Sequence, residues 1–129
     1  MLTDELSLLA LYGILLALTL LAQATGALGQ FGLGYLMSSR DEHRSAAGVA
    51  ARLERALANS ITAMVLFAPA ILLLHARGAF SPDTLIAAQI FLAARIVYLP
   101  AYAFGIVGLR SLAWTVGFFA SITLYVLAL

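Results

Sequence analysis

The sequence predicts an all-α membrane protein, a single domain over residues 1–129 in which four antiparallel transmembrane helices form a bundle. Of the 129 residues, 64% are hydrophobic and only 10% are charged, whereas a soluble domain carries about 25% charged residues. A chain this short cannot cover so much apolar surface with a polar shell. These observations exclude a soluble enzyme and a disordered chain, and the lack of cysteine excludes a disulfide scaffold. The formal net charge of +1 gives no reason to expect a nucleic-acid partner.

The first span is predicted over residues 6–37, because no charged residue occurs between Leu6 and Ser39 and about 20 apolar residues cross a bilayer. Four glycines lie between residues 26 and 34 of this stretch. We interpret it as one long helix whose second half packs closely on its neighbours, since small residues let backbones approach in lipid. The alternative is a span followed by a glycine-rich loop. The acidic start of the chain argues against a cleaved secretory signal, which begins with positive charge.

The second span contains an uncharged stretch over residues 56–74, whereas the third is apolar but carries Arg95 inside it. The second is predicted over residues 50–75, and Pro69 is expected to kink it. The third is predicted over residues 83–105. Its start is marked by Ser81, which can cap the helix, and by Pro82, which is favoured in a first turn.

The fourth span is predicted over residues 109–129, with Trp114 near one membrane interface and Tyr125 near the other. Four spans place both termini on the same side of the membrane. The 1–2 and 3–4 connections, with the helix ends beside them, carry five of the seven arginines: Arg40, Arg44, Arg52, Arg55 and Arg110. The opposite side carries only Arg77. The positive-inside rule therefore places these two connections in the cytoplasm and both termini outside it.

Two of the predicted spans carry a polar face, and an ionisable residue within a span is a functional candidate. On the second span the spacing of three, four and three residues places one set on a single helix face: Arg52, Arg55, Asn59 and Thr62. On the third span the same argument groups Arg95, Tyr98 and Tyr102, and Arg110 begins the fourth span on the same side. We predict a cationic cleft open to the cytoplasm. Its ligand is expected to be a carboxylate-bearing anion, because guanidinium groups bind carboxylates bidentately.

Each of these residues also has a purely structural interpretation. Arg44 and Arg52 could extend to lipid phosphates, while Arg55 and Arg95 could hold helices together with Glu54 as counter-ion. The two tyrosines could be packing residues with satisfied hydroxyl groups. The two histidines are isolated from each other in the sequence, so no metal site is predicted.

The segment Arg52-Leu53-Glu54-Arg55-Ala56-Leu57-Ala58-Asn59 resembles the signature of the MAPEG family, which reads R-x-x-R-A-x-x-N-x-x-E on the second helix. A second match follows, with Ala94-Arg95-Ile96-Val97-Tyr98, then Tyr102, then Arg110-Ser111. These are membrane-associated proteins in eicosanoid and glutathione metabolism, among them the microsomal glutathione transferases and the prostaglandin and leukotriene synthases. The resemblance covers nearly the whole chain, and it agrees with the predicted number of spans and their orientation.

The resemblance implies a bacterial-type member in the inner membrane, a homotrimer that holds glutathione as co-substrate between neighbouring subunits on the cytoplasmic side. It implies no metal. Carried over residue by residue, it gives a glutathione-binding set: Arg55, Asn59, Thr62, Arg95, Tyr98 and Tyr102. Arg110 would be the catalytic residue that holds the thiolate. A thiol with a pKa near about 8.5 becomes a better nucleophile at neutral pH beside a guanidinium.

Thr62 departs from the family pattern, which has an acid there that can pair with the ammonium group of glutathione. Two functions therefore stay open. The first is a glutathione-dependent transferase or peroxidase acting on a lipophilic electrophile. The second is a non-catalytic subunit of a larger membrane complex, or a lipid-binding protein. A proton-coupled exporter of cationic drugs is a weaker third, because such exporters need a carboxylate in the first span and residues 6–39 contain none.

Overall fold

A computed structural model describes residues 2–129 and shows a bundle of helices. The helices are α1 (Glu5–Phe31), α2 (Leu33–Leu36), α3 (Gly48–Ala76), α4 (Pro82–Ala103) and α5 (Val107–Ala128). All except the short α2 are long and apolar enough to cross a membrane. The protein is therefore a multi-pass integral membrane protein, and the predicted all-α bundle of four spans is confirmed.

Helices α3 and α4 form the centre of the bundle. Helix α3 packs against each of the other three spans, and α4 makes its most extensive contact with α5. Within residues 2–129, no α-carbon of α1 lies within 8 Å of an α-carbon of α5. Polar residues on α3 and α4 therefore face neighbouring helices on more than one side.

The start of α4 has the local structure that Ser81 and Pro82 predict. The Ser81 hydroxyl accepts a hydrogen bond from the backbone N–H of Thr84, the Thr84 hydroxyl accepts one from the backbone N–H of Ser81, and Pro82 occupies the first turn. The Thr84 hydroxyl also donates to the carboxyl group of Glu5, which is buried at the start of α1. The N-terminal end of the first span is thereby joined to the third.

The first span differs from the single long helix predicted over residues 6–37. Gly32, with φ +80°, separates α1 from α2, and this backbone conformation favours glycine. The expected close approach is confirmed at Gly26, where an added β-carbon would lie 3.3 Å from the Ala50 β-carbon on α3. At Gly29 an added β-carbon would meet nothing within 4 Å. One glycine therefore serves packing, and another ends the helix.

The connection from α2 to α3 is held by specific contacts rather than extending freely. The Arg44 backbone N–H donates to the Tyr35 hydroxyl at 2.8 Å, and the Arg44 guanidinium carbon lies 4.4 Å from the Tyr35 ring centroid. Arg44 also forms an ion pair with Glu42 at 2.7 Å, and this hydrogen bond lowers the pKa of the Glu42 carboxyl group. The Gln30 side chain pairs with the backbone of Ala47 through two hydrogen bonds, which fixes the end of α1 to the start of α3.

Candidate functional site

The predicted polar residues lie near the arginine-rich end of the bundle, formed by α2, the start of α3, the end of α4 and the start of α5. There the Arg55 Nε donates a 3.1 Å hydrogen bond to the Tyr102 hydroxyl. The guanidinium carbon of Arg110 lies 4.8 Å from the centroid of the same ring. Arg55 and Arg110, which belong to different helices, therefore meet at Tyr102 on a third.

Arg95 lies deeper in the bundle and is 2% exposed. Its position eight residues before the end of α4 places it about 12 Å along the helix from that end, at 1.5 Å per residue. Its Nη1 donates to the Asn59 side-chain oxygen at 3.0 Å and its Nη2 to the Ser60 hydroxyl at 2.9 Å. The guanidinium carbon is 4.0 Å from the centroid of the Tyr98 ring. Arg95 thus joins α3 to α4, as the structural interpretation of this residue anticipated.

The charge of Arg95 has no counter-ion in the part of the chain that the structure describes. There, the one ion pair is that of Arg44 with Glu42, in the α2–α3 connection. The Arg95 Nε is buried and has no hydrogen-bond partner among residues 2–129. The counter-ion predicted by the structural interpretation, Glu54, is exposed and pairs with neither Arg55 nor Arg95. A buried cation surrounded by neutral groups favours an anion beside it.

Two cavities lie next to these arginines, and Trp114 of α5 lines both. The inner cavity, of about 250 Å³, lies between α3, α4 and α5. Its lining is Asn59, Thr62, Ala63, Leu66, Phe91, Arg95, Trp114, Gly117, Phe118 and Ser121. The outer cavity, of about 290 Å³, is lined by Tyr98, Tyr102, Arg110, Ser111, Trp114 and Thr115. We call the two together the cleft.

Arg52 and Thr62 share the polar face of α3 but play different parts. Arg52 donates a long hydrogen bond of 3.5 Å to the Ala103 carbonyl, and its guanidinium lies beside Gly105. It therefore sits at the C-terminal end of α4, where the helix dipole favours a cation, rather than in the cleft. Thr62 lines the inner cavity, and its hydroxyl donates to the Ala58 carbonyl of its own helix at 3.1 Å.

Two residues of the site were missed by the sequence reasoning. Ser60 is fully buried and accepts a hydrogen bond from Arg95. Tyr12 on α1 is also fully buried, and its hydroxyl donates to the Ser60 carbonyl at 2.7 Å. The available signal was a phenol in an otherwise apolar span, because a buried tyrosine hydroxyl requires a partner.

The cleft is chemically suited to an anion. The Tyr98 and Tyr102 ring centroids are 5.6 Å apart, and a guanidinium lies within 5 Å of each centroid. None of the residues that line either cavity is an aspartate or a glutamate. Guanidinium and phenol donors without a competing carboxylate favour binding of carboxylates or of a thiolate.

Comparison with known proteins identifies the family. The family model of the MAPEG family matches residues 6–129, which include all four spans and every residue of the cleft. The chain belongs to the MAPEG family. Among curated proteins and among solved structures, no match to the chain was found. The resemblance seen in the arginine and tyrosine motifs is thereby confirmed, and the bundle is the four-helix membrane fold of a MAPEG protein.

Proposed function

We propose that this MAPEG protein is a transferase or peroxidase that uses glutathione, or a related thiol, against a lipophilic electrophile. The observation that carries the proposal is the meeting of Arg55 and Arg110 at Tyr102, beside a cleft that contains the buried cation of Arg95. Such a site can hold the carboxylates of a peptide and a thiolate at the same time. The alternative of a simple structural bundle does not explain why Arg95 and Arg110 line these two cavities and why Arg55 is bonded to Tyr102 beside them.

Each residue of the cleft has a distinct part in this proposal. Arg55 and Asn59 bind the tripeptide, with Arg95 behind Asn59, and the two tyrosines contact it from α4. Arg110 stabilises the thiolate, because a nearby cation lowers the pKa of a thiol. In the transferase reaction the thiolate sulfur forms a bond to the electrophilic carbon, and the leaving group departs with the electron pair of the broken bond. In the peroxidase reaction the thiolate sulfur bonds to one peroxide oxygen as the O–O bond breaks, which gives a sulfenic acid and an alkoxide that is protonated to the alcohol. The sulfur of a second glutathione then displaces the hydroxyl group of the sulfenic acid, which leaves as water, and the disulfide is formed.

We further propose that the arginine-rich end faces the cytoplasm in a bacterial inner membrane, with both termini on the other side. The support is the distribution of arginine, with five residues at this end and only Arg77 at the other. We also propose a homotrimer, as the family resemblance implies. In the single chain Arg55 and Thr62 are exposed. In a trimer, a neighbouring subunit that packs on this surface would cover a ligand bound in the cleft.

The test is glutathione binding to the purified protein in detergent, measured by calorimetry. We expect binding by the wild type and a loss of at least about tenfold in affinity for Arg110→Ala and for Asn59→Ala, since a hydrogen bond to a charged group contributes about 1.5–3 kcal/mol. Arg77→Ala is the matched control, because it removes an arginine from the other end of the bundle. Absence of binding of both glutathione and related thiols by the wild type would overturn the proposal.

A second candidate function is supported by Thr62, which supplies no negative charge to the cleft. In this view the protein is a non-catalytic subunit of a larger membrane complex, or it binds a lipid anion. Purification at a fixed ratio with other membrane proteins would favour it. Turnover of a model electrophile by the isolated protein with glutathione would count decisively against it.

A further inference from the structure

The charges around the cleft favour one chemical class of thiol over another. Arg95 lines the inner cavity and Arg110 the outer one, and Arg55 is bonded to Tyr102 at the edge of the outer cavity. No carboxylate lines either of its cavities. Glutathione carries two carboxylates, but its γ-glutamyl end also carries an ammonium group. A site with only positive charge attracts the carboxylates and repels the ammonium.

The inner cavity is the place where the charge of the γ-glutamyl end of the ligand, carboxylate or ammonium, affects binding most. Arg95 is 2% exposed, its bonded partners Asn59 and Ser60 are neutral, and its Nε has no partner in the described chain. The side chain passes close to the cavity wall, since an added β-carbon at Gly117 would lie 3.6 Å from the Arg95 Cδ. Low polarity around a charge strengthens its interactions. A group entering this cavity is therefore selected strongly by the sign of its charge.

Thr62 does not change the sign of the charge in the inner cavity. It lines the cavity, and its hydroxyl hydrogen is donated to the Ala58 carbonyl at 3.1 Å. Its oxygen can accept a hydrogen bond from an ammonium group, but it supplies no formal negative charge. Apart from Arg95, the other polar side chains of the inner lining, among them Asn59 and Ser121, are also uncharged.

We propose that the cleft selects a glutathione-type thiol whose amino group is missing or acylated, so that the end entering the inner cavity carries a carboxylate and no ammonium. This inference rests on the proposed function, because it refines the class of thiol bound by the same site. The thiol itself still meets Arg110 in the outer cavity. The preference comes from the inner cavity alone.

The test compares two ligands that differ only in the amino group. The affinity of the purified wild-type protein for glutathione is measured by calorimetry in detergent, beside that for glutaryl-cysteinyl-glycine, which is glutathione without its amino group. We expect the deaminated peptide to bind at least about tenfold more tightly, the scale expected for one like-charge contact removed. Thr62→Glu is expected to shift the ratio of the two affinities by about tenfold towards glutathione. Thr62→Gln, which adds similar length without charge, is the matched control and should leave the ratio unchanged.

The outcomes separate this inference from the proposed function. If the wild type binds glutathione as tightly as the deaminated peptide, or more tightly, the inference is overturned and the proposed function stands. If Thr62→Glu changes both affinities equally, the assignment to the inner cavity is overturned. If the wild type binds neither peptide, the proposed function fails and the inference fails with it. If Thr62→Glu does not fold, Ala63→Glu adds a carboxylate at the next residue of the same lining, and the same shift is required of it.

Discussion

The guanidinium carbon of Arg95 lies 4.0 Å from the centroid of the Tyr98 ring, inside a helix that crosses the membrane. The ring face carries partial negative charge and attracts the cation. It supplies no formal charge, and no ion pair to Arg95 is present in residues 2–129. The pair therefore holds the guanidinium in place while leaving its charge available to a bound anion.

Ser60→Ala is expected to destabilise the bundle because it removes the acceptor of the Arg95 Nη2 hydrogen bond. A buried N–H of a charged group then lacks a partner, which costs about 1.5–3 kcal/mol. Ser121→Ala is the matched control. Ser121 is also buried, but its hydroxyl bonds only to the Gly117 carbonyl of its own helix, so its loss costs at most about 1 kcal/mol. Thermal unfolding in detergent measures the stability of both variants. Equal losses would show that the Arg95–Ser60 hydrogen bond contributes no more than the hydrogen bond of Ser121.

The packing of α1 on α3 predicts that substitutions at two glycines of α1 change the stability by different amounts. Gly26→Leu is expected to destabilise the protein by about 1–3 kcal/mol, because even a β-carbon there lies 3.3 Å from the Ala50 β-carbon. Gly29→Leu places its side chain in open space, where lipid can accommodate it, and is expected to have little effect. The two variants are compared by thermal unfolding in detergent. Similar losses for both would contradict the close approach at Gly26.

The sequence predicts the fold well because the bilayer restricts it so strongly. Long charge-free stretches identify three of the spans, and the third, which carries Arg95, is identified by its apolar residues and by Ser81 and Pro82 at its start. The break at Gly32 does not agree with the single long helix that was preferred over a span followed by a glycine-rich loop. In a membrane helix, glycine can allow close packing, as at Gly26, or a positive φ, as at Gly32, and the residue type alone does not distinguish the two.

The site was predictable in part. Helical periodicity shows which residues share one face of a helix, but it does not show which residues of a neighbouring helix pack against that face. Helical spacing groups Arg95 with Tyr98, and the structure brings them together. It also groups Arg52 with Arg55, yet Arg52 lies one turn nearer the helix end and contacts the Ala103 carbonyl. Ser60 was missed because it adjoins the polar face of α3, and its importance comes from α4 packing against it.

The start of α1 is expected to respond to pH through Asp4. The Asp4 carboxylate accepts a 2.8 Å hydrogen bond from the Ser7 N–H, which holds the pKa of Asp4 below its ordinary value of 3.8. A lowered pKa in the folded state means that this stabilisation is present above pH 3.8 and is lost as the pH falls through the lowered pKa.

Proton exchange of the Ser7 amide, followed by NMR in micelles, measures this helix cap. In the wild type, the protection factor of this amide, which is its exchange rate compared with the intrinsic rate at the same pH, should fall in acid as the carboxylate becomes protonated. Asp4→Asn keeps a side-chain oxygen as acceptor and removes the titration, so this acid-dependent fall in protection should disappear. An unchanged pH response in Asp4→Asn would assign it to another group.

Arg110 is expected to control the pH at which bound thiol becomes nucleophilic. A free thiol has a pKa of about 8.5, and a guanidinium beside it stabilises the thiolate and lowers that value. Thiolate is then present above the lowered pKa and is lost as the pH falls through it. In saturating glutathione-type thiol, the ultraviolet absorbance of the thiolate should therefore rise at lower pH for the wild type than for Arg110→Ala. Arg110→Lys keeps a positive charge and should retain most of the difference, whereas identical midpoints for all three proteins would remove Arg110 from this role.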